Sequence, residues 1–516
     1  MSTITTATGD IHEAQPASHP QRWAALVVVC FAVFVTVLDG TIVNIALPSL
    51  SVDLGASTRQ LQWIVDAYLL VFTGLLLAGG GIGDKFGRKR VLIIGLIVFG
   101  ATSAFAGRAD SAGALIAGRA LMGIGAALVF PATLAIITDM FRNPSERAKA
   151  IGIWTATSGV AVAAGPITGG WLLENFWWGS VFFVNVPIAI VVAAATWVVV
   201  PESREANAPR LDKVGLLLSI AAIAALVFTI IEAPEWGWAS GQTLGGFAVA
   251  LVLLAAFVRW ELRVAHPMLP VRIFSNLRFS AASVAITAAF FALFGFIFLI
   301  TQYFQLIRGY GPLEAGVRTL PVAISIAVVS IMSPRLVHRV GTTQVVRGGL
   351  ALLAIAFLWI ALHTKVDTPY LEIVGQMILL GVGLGATTAP ATESIMGSLS
   401  ADKAGVGSAV NDTTRELGGT LGVAIIGSVF TSVYVADLRD GGGVFAQLPE
   451  EVRHLTEESV GAARVVAGQL GASAQPYLDQ VSQAFLSGLS AGCFVAAGVA
   501  AAGAVFAGRF LPARAD

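Results

Sequence analysis

Ionisable side chains stand inside long apolar stretches of this sequence, where a charge is costly. Asp39 lies near the end of the run WAALVVVCFAVFVTVLDG, and Arg119 interrupts the run ALIAGRALMGIGAALVF. Counted at the rise of an α-helix, Asp39 lies roughly 12 Å and Arg119 roughly 10 Å below one end of its stretch. An ionisable group at such a depth is expensive unless it is paired or functional. Two interpretations follow: a static structural ion pair, or a pair whose carboxyl group exchanges a proton.

Further charged residues lie in two other apolar stretches. Asp66 in WIVDAY lies at a similar depth, and it is either a second titrating or cation-binding carboxyl group or a polar residue facing a wet cavity. The segment NDTTRELGG, residues 411–419, contains Asp412, Arg415 and Glu416. Spacings of three and four place these side chains on one face of a helix. The cluster is interpreted as an internally neutralised group at an interface, with Glu416 kept as a further candidate proton carrier.

The other reactive residue types form no recognisable site in the sequence. The six histidines lie in tails or loops, and the only two cysteines, Cys30 and Cys493, lie inside apolar runs. We find no disulfide framework, metal-ligand spacing, phosphate-binding loop or catalytic Ser-His-Asp set. The sequence therefore predicts a protein that is not an enzyme and that holds no metal or cofactor.

Membrane-spanning helices are the elements that must position these charges. Hydrophobic residues make up 56% of the chain and charged residues 12%, and apolar runs of about twenty residues recur from end to end. So much apolar surface indicates an all-α integral membrane protein. Fourteen spans are predicted near 23–47, 58–80, 91–107, 112–138, 148–170, 178–200, 213–233, 243–260, 280–304, 312–333, 344–363, 369–394, 404–433 and 484–509.

The distribution of lysine and arginine predicts the orientation of the protein in the membrane. If the N-terminus is inside, the inner loops hold most of the basic residues, including those of 85–90, 142–149 and 259–278. Basic residues in short loops stay cytoplasmic, so both termini are predicted to be cytoplasmic, with residues 1–22 as an N-terminal tail. The formal net charge of zero gives no reason to expect a nucleic-acid partner.

Two halves of the sequence resemble each other. GIGAALVFPAT at 123–133 is followed by SERA, and GVGLGATTAPAT at 381–392 is followed by ADKA. An even number of spans between the copies means parallel repeats, as in transporters built from two six-span halves around a central cavity. The predicted organisation is a six-helix bundle over 23–200, a linker with two inserted membrane helices over 201–279, and a second six-helix bundle over 280–516 with an outer loop at 434–483.

Four segments resemble known signatures. GGIGDKFGRKRVL, residues 80–92, is similar to the loop between spans two and three of the major facilitator superfamily. LDGTIVNIALP (38–48), LIAGRALMGIGAA (115–127) and SGVAVAAGPITGG (158–170) resemble segments of the fourteen-span drug:proton antiporter family within that superfamily. The resemblance implies a major facilitator fold and export driven by the proton gradient.

The same resemblance implies roles for individual residues. Asp39 and Arg119 are expected to couple transport to protons, with Asp66 and Glu416 as the next candidates. A charge latch on the inner side and a bent, glycine-rich helix on the outer side are expected to act as gates, because small residues permit close helix approach and proline bends a helix. The gating residues are Gly80, Asp84, Gly87 and Arg88 in the first segment, and Gly165, Pro166, Gly169 and Gly170 in the second.

The predicted function is proton-coupled export of lipophilic or cationic drugs and toxic compounds across the cytoplasmic membrane. Broad, shape-tolerant binding is expected from aromatic residues lining a central cavity, namely Trp63, Tyr68, Trp154, Phe294 and Phe298. The expected partners are small-molecule substrates, protons and the lipid bilayer, and the protein is expected to act as a monomer. The alternative is a dedicated exporter of one endogenous lipid, siderophore or antibiotic.

Overall fold

The structure is a computed structural model that describes residues 20–205, 212–399 and 404–512, and long helices dominate these ranges. The first half, residues 22–199, holds α1 (Arg22–Asp53), α2 (Thr58–Phe86), α3 (Arg88–Ala106), α4 (Ala112–Met140), α5 (Pro144–Asn175), α6 (Ser180–Phe183) and α7 (Asn185–Val199). The helices α6 and α7 together make one span, interrupted at Val184. An inserted pair follows, α8 (Lys213–Trp236) and α9 (Gly241–Glu261).

The second half, residues 277–510, repeats the arrangement with a longer last connection. It holds α10 (Leu277–Gln302), which continues as a π-helical turn (Tyr303–Ile307), then α11 (Pro312–Arg318), α12 (Leu320–Val340), α13 (Thr342–His363), α14 (Tyr370–Met396) and α15 (Ala404–Asp440). Three short helices lie in the connection, and one long helix ends the half: α16 (Gly443–Ala446), α17 (Glu450–Glu458), α18 (Val460–Ala467) and α19 (Ala474–Phe510).

The described residues contain fourteen helices that are long and apolar enough to cross a membrane, which confirms the predicted all-α fold and span count. Helix ends differ from the prediction around the last loop. Helix α15 continues to Asp440 and α19 begins at Ala474, so the connection is 441–473 rather than 434–483. Hydropathy marks only the apolar core of a helix, whereas buried side chains such as Tyr434 and Tyr477 extend both helices beyond that core.

The two halves use the same helix pairings. In the first half α4 packs against α2 and α3, and α1 packs against α5; in the second half α14 packs against α12 and α13, and α10 packs against α15. Glycines allow the equivalent close approaches. A Cβ on Gly125 would lie 2.7 Å from the backbone nitrogen of Phe99, and a Cβ on Gly383 would lie 2.7 Å from the carbonyl oxygen of Gly349. Any larger side chain there would separate the helices.

The inserted pair lies across the seam between the halves. Helix α8 contacts both α2 and α15, and Val227 of α8 clusters with Leu70 of α2 and Ala424 of α15. A Cβ on Gly74 of α2 would lie 2.7 Å from Ile220 of α8, so this contact is tight. Helix α9 contacts mainly α8, and residues such as Leu251 and Val252 remain exposed for contact with lipid.

The halves are closed against each other at one end. We call the end that bears 441–473 the loop side and the end that bears 83–90 the basic side. In the described ranges, the hydrogen bonds between the halves lie at the loop side, where Gln62 Nε2 donates to the Ala424 carbonyl (3.1 Å) and Gln305 Nε2 donates to the Ile45 carbonyl (2.9 Å). Towards the basic side, Ile153 of α5 and Leu336 of α12 are exposed. The conformation is therefore closed on the loop side.

Candidate functional site

The centre of the first half contains a buried ion pair. Arg119 of α4 donates through Nη1 to Oδ2 of Asp39 on α1, and neither side chain is exposed. The other carboxylate oxygen, Oδ1 of Asp39, accepts a hydrogen bond of 2.8 Å from Nδ2 of Asn185. The structure thus brings together the two residues that the sequence places at one depth, and it adds an amide from α7.

Arg119 is held by more than its carboxylate partner. Its Nε donates to the Ile64 carbonyl at 3.0 Å, and its guanidinium carbon lies 4.3 Å from the ring centroid of Tyr68. Tyr68 is fixed in turn because its hydroxyl donates to the Thr36 carbonyl at 3.0 Å. A guanidinium positioned by a carbonyl and a ring keeps its place even when the carboxylate changes charge. One arm stays free in the described part of the chain, since Nη2 of Arg119 has no hydrogen-bond partner there.

Asn185 is the site residue that the sequence reasoning missed. It is fully buried, and besides Asp39 its Nδ2 reaches the Ser103 hydroxyl at 3.3 Å. The only signal was an amide inside the apolar run VFFVNVPIAI. The contact with Asp39 depends on the packing of α7 against α1, which cannot be read from hydropathy.

Asp66 of α2 lies at the seam between the halves. It is fully buried, and both of its carboxylate oxygens lack a hydrogen-bond partner among the described residues. One helical turn before it, Gln62 bonds to α15, and one turn after it, Leu70 clusters with Ala424 of α15. Residues four apart share a helix face, so Asp66 lies on the face of α2 that meets α15. An ionised carboxylate without a partner is costly in such a place.

The charged cluster of α15 is not joined by direct ion pairs. Asp412, Arg415 and Glu416 are all partly buried, and within the described part of the chain no salt bridge links Arg415 to either carboxylate. The guanidinium carbon of Arg415 instead lies 5.3 Å from the ring centroid of Phe290, and its Nη2 donates to the Thr392 hydroxyl at 3.4 Å. No hydrogen bond among the described residues joins these three side chains to one another.

The predicted latch is a network of charges on the basic side. Arg88 Nη2 lies 2.8 Å from Oδ1 of Asp84, 3.8 Å from Glu205, and its Nη1 lies 4.0 Å from Asp139. The turn between α2 and α3 needs glycine at Gly87, because φ is +108° there and an added Cβ would lie 2.7 Å from a carboxylate oxygen of the linker. Three carboxylates around one guanidinium hold this loop in a defined position.

Gly80, the first glycine of the predicted gating segment, is not a position of close helix approach. A Cβ at this position would lie 3.7 Å from the nearest atom, the Cβ of Pro131, which is an ordinary contact distance. The neighbouring Gly79 is the tighter position, since a Cβ there would lie 2.0 Å from the Ala127 carbonyl oxygen. The close approach of α2 to α4 therefore depends on Gly79.

The glycine-rich end of α5 approaches two other helices on the loop side. A Cβ on Gly165 would lie 2.0 Å from the Thr41 hydroxyl oxygen of α1, and one on Gly169 would lie 2.4 Å from Ile45. Gly170 meets the second half, because its Cβ would lie 2.6 Å from the Leu313 backbone of α11. Pro166 lies inside α5, and its carbonyl would be 2.2 Å from a Cβ on Gly316.

Most of the aromatic residues predicted to line a cavity are packed against, or hydrogen-bonded to, neighbouring residues. Trp63 lies 6.0 Å from Phe228 of the inserted α8, Trp154 Nε1 donates to the Thr133 hydroxyl at 3.1 Å, and Tyr68 contacts Arg119. Phe298 is fully buried in the core of the second half. Phe294 is partly exposed, and its ring centroid lies 6.3 Å from that of Phe290, the ring that contacts Arg415.

Comparisons with known proteins agree with this architecture. A sequence profile described as Major Facilitator Superfamily matches residues 29–423. The multidrug efflux pump LfrA of Mycolicibacterium smegmatis is 36% identical over 489 residues, covering 95% of this chain and 96% of that protein. The puromycin resistance protein pur8 of Streptomyces alboniger is 37% identical over 427 residues, covering 82% and 84%.

A solved structure shares the fold at low sequence identity. It is a bacterial homologue of the human lysosomal transporter Spinster, in an inward-facing and unoccupied conformation, with a TM-score of 0.70 and 18% identity. The match covers 96% of this chain and 99% of that one. At this identity the likeness shows the fold alone.

Proposed function

The chain belongs to the major facilitator superfamily, and we propose that it is a proton-coupled exporter of lipophilic or cationic compounds across the cytoplasmic membrane. The export part is supported by relatives named for drug efflux and antibiotic resistance. The coupling part rests on one observation: a fully buried carboxylate, Asp39, paired with a fully buried guanidinium, Arg119. We propose that a monomer does this without a bound cofactor, with the proton gradient as its energy source.

A protonation change at Asp39 is the proposed coupling step. The neutral carboxyl group loses most of its attraction for Arg119, while Ile64 and Tyr68 still hold the guanidinium. Helices α1 and α4 are then less tightly held together, which favours one facing direction of the transporter. Linkage requires reciprocity: if a proton weakens substrate affinity, bound substrate must release a proton to the same degree. Asp66, at the seam with α15, is the second proposed proton site, and Glu416 the third.

We propose gating roles for the two segments on opposite sides of the molecule. On the basic side, the Asp84 and Arg88 pair at the Gly87 turn exchanges partners as the halves rotate, with Gly80 as a spacer. On the loop side, Gly165, Pro166, Gly169 and Gly170 let α5 close on α1 and α11. An added Cβ on any of the three glycines would lie only 2.0 to 2.6 Å from an atom of a neighbouring helix. This supports the role, because larger side chains would keep the helices apart on that side.

We propose that the basic side faces the cytoplasm. Short loops rich in lysine and arginine stay on the cytoplasmic side of the membrane, and the basic side holds the segments 85–90 and 142–149.

A Ser473→Cys variant on the loop side is expected to react with a membrane-impermeant maleimide in intact cells, because Ser473 is exposed. The matched variant Ser145→Cys, exposed on the basic side, is expected to react only after permeabilisation. The native cysteines Cys30 and Cys493 are buried and are expected not to react with the maleimide. The opposite labelling pattern would invert the assignment.

The proposed function is tested with the purified protein in liposomes. Ethidium and puromycin are supplied outside, and an inward- or outward-directed pH gradient is imposed. We expect accumulation that follows the direction of the gradient and collapses when a protonophore is added. Accumulation that is indifferent to the gradient and the protonophore would refute proton coupling, and the absence of any movement of either compound would refute the substrate class.

A dedicated exporter of one endogenous lipid, siderophore or antibiotic is the second candidate. It is supported by the similarity to a relative named for resistance to a single antibiotic, puromycin. The same liposomes distinguish the two candidates. Transport of both ethidium and puromycin indicates a multidrug exporter, whereas gradient-driven transport of puromycin without ethidium indicates a dedicated antibiotic exporter.

A further inference from the structure

Arg415 is a charged residue that the proposed cycle leaves unused. Its guanidinium lies over the Phe290 ring at 5.3 Å and makes one long hydrogen bond, 3.4 Å, to the Thr392 hydroxyl. Its Nε is buried and has no hydrogen-bond partner among the described residues. A guanidinium has five donors and usually forms a bidentate pair with any carboxylate in reach. The Arg415 side chain is therefore held away from partners that stand next to it in the sequence.

Two carboxylates flank this guanidinium on the same helix. Asp412 lies three residues before Arg415 and Glu416 lies one residue after it. Asp412 Oδ1 accepts a hydrogen bond of 3.3 Å from Nδ2 of Asn411, whereas the described residues offer no hydrogen bond to the Glu416 carboxylate. The cluster has one basic and two acidic side chains, and charges this close in sequence on one helix interact through space.

Glu416 faces the other half of the protein. Residues eleven apart share a helix face, and an added Cβ on Gly427, eleven residues further along α15, would lie 2.4 Å from Nε2 of Gln62 on α2. An added Cβ on Gly419, about one turn along α15, would lie 3.2 Å from the Phe294 ring of α10. The side chain of Glu416 is partly exposed rather than enclosed. An accessible carboxylate beside the partly exposed rings of Phe290 and Phe294 has the composition of a site for a flat, apolar cation.

We propose that Arg415 is a specificity-determining residue, a built-in counter-cation that competes with positively charged substrates for the carboxylates of α15. This inference rests on the proposed export function. A cation at Glu416 gains the attraction of two carboxylates but is repelled by the guanidinium, which remains close because Phe290 and Thr392 hold it. A neutral substrate is unaffected by either charge. Arg415 thus limits the affinity for cations and lets cations and neutral compounds share one site.

The test compares binding of one cation and one neutral compound to the full-length protein in detergent. Ethidium serves as the cationic fluorescent probe and N-phenyl-1-naphthylamine as the neutral one. Arg415→Gln is expected to bind ethidium about tenfold more tightly, because a unit charge near the site is removed, and to bind the neutral probe with unchanged affinity. Arg415→Lys keeps the charge and is expected to match the wild type for both probes.

A double variant identifies the carboxylate that Arg415 competes for. In a Glu416→Gln background, Arg415→Gln is expected to change ethidium affinity by less than about twofold, because without the Glu416 carboxylate the cation no longer binds beside Arg415. Ethidium affinity that stays the same or falls in Arg415→Gln would overturn the proposal, as would an equal gain for both probes. A wild-type protein that binds neither probe would instead contradict the proposed function on which the inference rests.

Discussion

Asp39→Asn is expected to abolish gradient-driven accumulation while leaving substrate binding intact. Asparagine keeps the size of the side chain and one of the two acceptor oxygens, which can still accept from Arg119, but it loses the acceptor for Asn185 and cannot exchange a proton. Against a gradient of about 1.5 pH units, one-for-one exchange gives an accumulation ratio of about 30, and in the variant this ratio is expected to fall to about 1. Downhill equilibration of the substrate is expected to continue.

Ethidium accumulation in liposomes is the measurement for this variant, with ethidium binding in detergent as the check on folding. Asp110→Asn is the matched control, because Asp110 is an exposed aspartate in the connection between α3 and α4. If Asp39→Asn still concentrates ethidium in a gradient-dependent way, the proton site lies elsewhere, with Asp66 and then Glu416 to be tested next. Arg119→Ala is a poorer probe, because leaving a buried carboxylate unpaired costs about 3–5 kcal/mol of stability.

The span count and the two-half architecture were predictable because a bilayer demands long apolar helices. Each membrane helix can be recognised from its local composition, and the repeated segments at 123–133 and 381–392 indicate that the two halves are related. The helix ends were less predictable. The polar residues of 434–440 and 474–483 predict a loop, but they continue α15 and α19. Tyr434 of α15 donates to the Thr456 carbonyl of α17, and the Thr456 hydroxyl bonds to the Tyr477 hydroxyl of α19.

The ion pair was predictable in part, since motif positions named Asp39 and Arg119 and helix counting placed them at one depth. Its other contacts depend on how helices are arranged in space. The Ile64 carbonyl and the Asn185 amide reach the pair only because α2 and α7 pack beside it. Trp63 shows the same limit, because its neighbour belongs to α8, whose place at the seam no local pattern encodes.

The connection 441–473 closes the loop side in a way that the sequence did not suggest. It is anchored to the second half, where Arg439 pairs with Glu457 at 2.6 Å and Thr456 bonds to Tyr477 at 2.7 Å. The start of α18 reaches the first half. The hydroxyl of Ser459, the residue before α18, lies 2.6 Å from the Ser51 hydroxyl near the end of α1, and both residues are buried. If the halves separate on this side to release substrate, the contact between these two serines must break.

A disulfide between Ser51→Cys and Ser459→Cys is therefore expected to stop export. The hydroxyl oxygens are 2.6 Å apart, close enough for two sulfurs to reach the S–S distance of about 2.05 Å with a small adjustment. After oxidation, ethidium accumulation in liposomes is expected to fall to the level of empty liposomes, and a reductant is expected to restore it. The oxidised protein is expected to be trapped in the loop-side-closed conformation.

Two controls separate this trapping from damage by the oxidant. Each single-cysteine variant is expected to transport normally, because the buried Cys30 and Cys493 offer no alternative partner. The pair Asp437→Cys and Ser487→Cys joins α15 to α19 within the second half, where the native side chains lie 3.1 Å apart, so its oxidation is expected to leave export unchanged. A complete Ser51–Ser459 cross-link with undiminished export would mean that the connection 441–473 moves with the first half. Failure of that pair to cross-link would mean that the closed contact is not formed in the membrane. Only loss of export that a reductant reverses, in this pair alone, identifies the connection as part of the gate on the loop side.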